Sequence, residues 1–288
     1  MADSKSKEKE PSGLKKSLRL IYVYAIAAGA IFTFIGYWDT IFYEYCGAGT
    51  FFGFILMTLL ILPIAMVYCE LAPLFPKAGG ELIYNTVGFN RHVGFLASWL
   101  IMAAWISVPP AVVMAIVTFI SRTFGLGLTF GHTMIIGIII LVAVFLMSMQ
   151  DIQLLVKAQA VCLFANITTT LLTGVLLLFS GHWSFANVAN LFQTNLEPSA
   201  GIPGWIIGMA LLITPFFGFE TVPQMVEEGD FPTSNTKKAI CGSVLTCGTI
   251  YVFFFCVAGL DSFQTLLSGD AQNGFMTIPA MQNLLGWK

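Results

Sequence analysis

The residues of this chain most able to do chemistry lie in one apolar run, roughly 204–226, where a lipid-facing helix would carry only hydrocarbon. Pro215 has no amide to donate, and Gly218 supports dihedrals closed to other residues, so a helix can open here. Opening leaves carbonyls and amides unpaired at membrane depth, where they persist only if they face protein, water or a ligand. Counting inward from Gly204 puts the bilayer midplane near Thr214 to Phe217. Thr214, Phe216, Phe217 and Gly218 are therefore candidate binding residues.

Glu220 lies about 24 Å inward from Gly204 on the same arithmetic, between the midplane and one surface. An unpaired carboxylate there is costly. Two readings stand: a group that loads and releases a proton, or a hydrogen-bond acceptor for the opened helix. Glu227 and Glu228 fall near the interface, where solvation or pairing with Lys237 and Lys238 is expected.

Small residues also gather at midplane depth in the first apolar run, around Gly29 to Phe34: Ala27, Ala28, Gly29, Ala30 and Thr33. They fit either close helix contact or a second interrupted helix. Asn166 reaches similar depth, nine residues beyond Lys157. No nucleophile and base pair, phosphate-binding loop or metal-ligand spacing occurs, so no enzyme chemistry, catalytic residue, metal or cofactor is expected.

These residues need membrane-spanning elements to position them. Of 288 residues, 57% are hydrophobic and 10% charged, against roughly 25% charged in a soluble domain. Seven apolar runs match the bilayer: roughly 18–44, 50–75, 93–121, 131–149, 157–180, 204–226 and 239–260. Pro109 and Pro110 predict a kink in the third. The lipid bilayer is thus one partner of the chain, and an all-α integral membrane protein is the fold class.

Basic residues set an orientation. With the N-terminus in the cytoplasm, eleven of the thirteen lysines and arginines fall inside and two, Arg122 and Lys288, outside. Nothing in this pattern suggests nucleic acid. Residues 1–17 read as a cytoplasmic tail, 181–203 as an extracellular loop and 261–288 as a second extracellular segment. The six cysteines form no C-x-x-C pair and read as packing residues.

The second run ends in ELAPLFPKAGGELIY, residues 70–84, followed by GFLASWL at 94–100. With GFETVPQMVEEGDFP at 218–232 and KKAICGS at 237–243, this order resembles the amino acid, polyamine and organocation permeases over about residues 14 to 260. The resemblance implies a 5+5 inverted-repeat, LeuT-like fold with helices 1 and 6 broken. Residues 18–180 would be the first five-helix repeat and 204–260 the first two helices of the second. The chain would then be the N-terminal portion of a longer permease in the cell membrane, inactive alone.

Under that resemblance Gly29, Ala30, Thr33 and Phe34 face the site of the sixth span. Opened carbonyls would take an ammonium and opened amides a carboxylate, so an amino acid or small amine is the expected substrate. This chain departs from the family in the first break, where Thr33, Phe34 and Ile35 replace the usual Gly-x-Gly. Some relatives carry a cationic lysine in the fifth span where this chain has Asn166, and some proton-linked relatives carry a glutamate matching Glu220. Those two residues are the coupling candidates, with proton or sodium as the ion. A seven-helix membrane receptor is the alternative that the span count allows.

Overall fold

A computed structural model describes residues 16–35, 39–149, 152–179, 181, 183–185, 194 and 196–259. The expectations for the tail before residue 16 and for the segment from 260 onward fall outside these residues. Secondary structure is helical almost throughout, as a bilayer requires when every backbone polar group must be satisfied within the chain. The helices are α1 (Leu20–Phe32), α2 (Asp39–Cys46), α3 (Thr50–Leu74), α4 (Glu81–Gly88), α5 (Arg91–Thr123), α6 (Phe130–Ser148), α7 (Ile152–Leu178), α8 (Gly204–Met209), α9 (Thr221–Gln224) and α10 (Thr236–Gly259).

Six helical segments among the described residues are long and apolar enough to cross a membrane, where the sequence predicts seven. The difference lies in the first run. Its helix stops at Phe32, and α1 has 13 residues, about 20 Å at 1.5 Å per residue, short of a hydrocarbon core of about 30 Å. The next helix among the described residues begins at Asp39. The helix α5, by contrast, runs through Pro109 and Pro110 without interruption.

The interrupted sixth run is built from short pieces. A six-residue α8 tightens into a 3-10 helix over Ala210–Phe216, the chain is non-helical over residues 217–220, and α9 supplies four more residues. Pro215 sits within the 3-10 piece, where its missing amide forbids an α-helical bond.

The core gathers around α10, which packs against α3, α1 and α7. Tyr251 of α10 stacks on Phe54 of α3 at 4.7 Å and on Phe32 of α1 at 5.7 Å, and Phe54 also stacks on Phe255 at 5.0 Å. These side chains are 0 to 1% exposed. Rigid aromatic surfaces of this size hold three helices in one register. All six cysteines are free; Cys46 and Cys247 are buried packing residues, while the sulfurs of Cys69 and Cys241 lie 3.2 Å apart across the contact of α3 with α10.

Candidate functional site

Two breaks in helical structure define the site. At the second, Phe217 turns extended (φ −65°, ψ 132°) and Gly218 takes φ 144°, a left-handed value that strains any residue with a Cβ. Glu220 folds back so that its Oε2 accepts the Gly218 amide at 2.7 Å, and the Thr221 hydroxyl donates to the Gly218 carbonyl at 2.6 Å. The opened turn is thus satisfied by side chains two and three residues away. Glu220 itself is 9% exposed.

At the first break the last carbonyls of α1 lose the next helical turn. The amides of Thr33 and Ile35 reach back to Ala30 O and Phe32 O only at 3.4 Å, and Thr33 donates its hydroxyl to Gly29 O at 2.8 Å. Further partners come from far along the chain. Tyr251 donates to Ile31 O at 2.6 Å, Asn166 Nδ2 to Phe32 O at 3.4 Å, and the Cys247 thiol contacts Ala28 O at 3.6 Å. Thr170 then donates to Asn166 Oδ1 at 3.4 Å, holding the amide in this orientation.

The breaks meet. A Cβ placed on Gly218 would lie 2.7 Å from Ala30 Cβ and 2.8 Å from Ala27 O, so only glycine permits this approach. Gly218, Ala30, Glu220, Thr33 and Asn166 therefore belong to one connected region. Other expected residues serve different surfaces. Gly29 packs against α7, its absent Cβ being replaced by the Gln159 amide, and Phe216 is fully buried near Phe54 and Tyr251 at 6.2 and 6.1 Å. Phe217 is 52% exposed; Thr214 and Phe34 are half-buried. A groove of about 680 Å³ along α7, lined by Tyr22, Lys157, Phe164 and Thr168 among others, includes none of them.

Glu227 does not find a lysine: its Oε2 accepts the Ala78 amide at 2.9 Å. The Glu228 carbonyl accepts the amides of Ser17 and Leu18 at 2.9 and 3.0 Å, and Asp230 N donates to Leu18 O at 2.8 Å. These bonds tie the start of the described chain and the loop after α3 to the segment that follows α9.

Tyr251 escaped the sequence reading. The signal was present, since it is the one hydroxyl-bearing aromatic in the run 239–260, where a buried hydroxyl needs a partner. Glu81 also went unmarked, as the fourth residue of AGGE after the second run; it is 5% exposed.

Two breaks in helical structure thus meet through a glycine inside an apolar helical bundle. The profile of amino acid permeases matches residues 18–284. The chain belongs to the amino acid permease family. The permease is 26% identical over 226 residues to the "Glutamate/serine transporter AimA" of Bacillus subtilis (strain 168), a match covering 73% of this chain and 40% of that relative. It is 25% identical over 260 residues to the "Cationic amino acid transporter 3, mitochondrial" of Arabidopsis thaliana, covering 83% of this chain and 41% of the relative. The permease thus spans about two fifths of the length of these curated relatives.

Proposed function

We propose that the full-length protein moves an amino acid or small amine across the membrane by alternating access, with its substrate held between the two breaks. The observation that carries this reading is the meeting of Gly218 with Ala27 and Ala30 beside the opened carbonyls of α1. An ammonium suits those carbonyls, and a substrate carboxylate would take the Gly218 amide in exchange for Glu220. The names of the two relatives, a glutamate/serine and a cationic amino acid transporter, support an amino acid over an amine.

Gly29, Ala30, Thr33, Phe34, Thr214, Phe216, Phe217 and Gly218 are the proposed substrate region, and Glu220 with Asn166 the proposed coupling pair for a proton, a sodium ion or an exchange cycle. In this reading α1 and α2 are two halves of one broken span, which makes seven, and residues 18–180 and 204–260 belong to two inverted repeats. The N-terminus is cytoplasmic and the membrane is that of the cell. No observation favours the receptor alternative.

Uptake of a labelled amino acid and amine panel into proteoliposomes holding the full-length protein tests the proposal. Saturable uptake that Thr33→Trp and Gly218→Leu both abolish is expected. Uptake that survives both would place the substrate elsewhere. Orientation is checked with single cysteines at Arg122 and Lys237 in intact cells: an impermeant thiol reagent should label the first and spare the second.

A further inference from the structure

We propose that Glu81, Tyr84, Tyr68 and Gln224 form a binding site for a monovalent cation, where α4 meets the end of the interrupted sixth span. Glu81 opens α4 and is 5% exposed. Its Oε2 accepts the Gln224 amide at 3.3 Å and its carboxyl interacts with the Tyr68 hydroxyl, whereas the buried Oε1 has no partner in hydrogen-bond geometry. The buried Tyr84 hydroxyl, one turn along the same helix, also has none. Two unsatisfied oxygens so placed are rare in folded chains.

The electrostatics add to the case. Glu81 lies beside the hydroxyls of Tyr68 and Tyr84, and Glu220 is close enough for the two carboxyls to sense each other's charge. Gln224 is neutral, so the amide contact supplies a hydrogen bond without balancing charge. A buried carboxylate is costly unless donors or a positive partner balance it. Burial, with Glu81 adding to it, pushes the Tyr84 hydroxyl up to about 12. Tyr84 therefore remains a neutral phenol with lone pairs to offer.

The surroundings suit a cation rather than a neutral guest. Tyr68 stands edge-on to Tyr84 at 6.0 Å and to Phe219 at 5.5 Å, and Phe75 lies 6.0 Å from Tyr84. The carboxylate and phenol oxygens can serve an alkali ion or accept from an alkylammonium. Both sources share the same chemistry: one positive charge, replacing its water by oxygen ligands. Such an ion would bind the loop after α3 to α9. The site stands independently of the transport reading.

The full-length protein, purified in detergent, is titrated with sodium, potassium or methylammonium chloride at constant ionic strength against N-methylglucamine. Thermal stability and amino acid binding are followed in parallel. A saturable rise in melting temperature is expected with one of these cations. Glu81→Gln should weaken its apparent affinity by about tenfold or more, and Tyr84→Phe by several-fold, while Glu227→Gln leaves it unchanged. Saturation by sodium or potassium identifies an alkali ion, and saturation by methylammonium an organic ammonium; either supports the site. If Glu81→Gln fails to fold, Tyr84→Phe carries the comparison. No cation-specific rise in the wild type, or the same affinity in the foldable variants, overturns the proposal. Failed amino acid binding beside a saturable, Glu81-dependent cation response would count against transport alone.

Discussion

The two breaks solve one problem by opposite means. Around Gly218 the opened backbone is satisfied from within four residues, by Glu220 and Thr221. At the end of α1 the carbonyl of Ile31 is satisfied by Tyr251, 220 residues away, and that of Phe32 shares Asn166, 134 residues away, with the nearby Ile35 amide. A locally capped break can keep its shape while neighbouring helices move. A remotely capped break is coupled to the positions of α7 and α10, and any displacement of either helix frees carbonyls for another partner. That difference makes the α1 end the adjustable break of the two and the Gly218 turn the fixed one.

The largest effect should come where the breaks touch. Gly218→Ala places a methyl group 2.7 Å from Ala30 Cβ on a backbone at φ 144°. Strain and overpacking together should cost about 3 kcal/mol or more, read as a lower melting temperature with lost ligand binding. An unchanged melt would mean that the two breaks are not held together by this contact.

Next in size is Tyr251→Phe, which keeps the aromatic stack and removes only the bond to Ile31 O. A buried carbonyl left unsatisfied costs about 1–3 kcal/mol. Glu220→Gln is expected to be milder, about 1 kcal/mol or less, because the amide oxygen still accepts from Gly218 N. A Glu220→Gln loss exceeding that of Tyr251→Phe in matched denaturation experiments would reverse the contrast between the breaks. The smallest change belongs to Asn166→Ala: its bond to Phe32 O is long, at 3.4 Å, and that carbonyl also receives the Ile35 amide at 3.4 Å. About 0.5 kcal/mol is expected. A loss as large as that from Tyr251→Phe would show that Asn166 anchors the break.

The same division between near and far interactions governs what could be read in advance. The bounds of α3, α5, α6, α7 and α10 follow the apolar runs within a few residues, because hydrocarbon thickness fixes how many apolar residues a helix needs. Pro215, Gly218 and Glu220 announce their break because all its participants lie in one short stretch. The first break was visible only as a set of small residues with two readings, and both hold in part: Gly29 is a helical contact against Gln159, while Phe32 ends the helix.

By itself, then, the sequence determined the bounds of the long apolar helices, the position of the second break and the family, since each depends on composition, local backbone chemistry or motif order along the chain. Those bounds leave azimuth open. A run such as 239–260 is apolar on every side, so nothing in its periodicity says which face of α10 meets α1 or that Tyr251 points at Ile31. The burial of Glu81 beside Tyr68 and Tyr84 is likewise a product of where α4 comes to lie after a Gly79–Gly80 turn with φ 147° and 38°. Those partnerships are fixed only when helices distant in sequence pack, and it was tertiary structure that decided them.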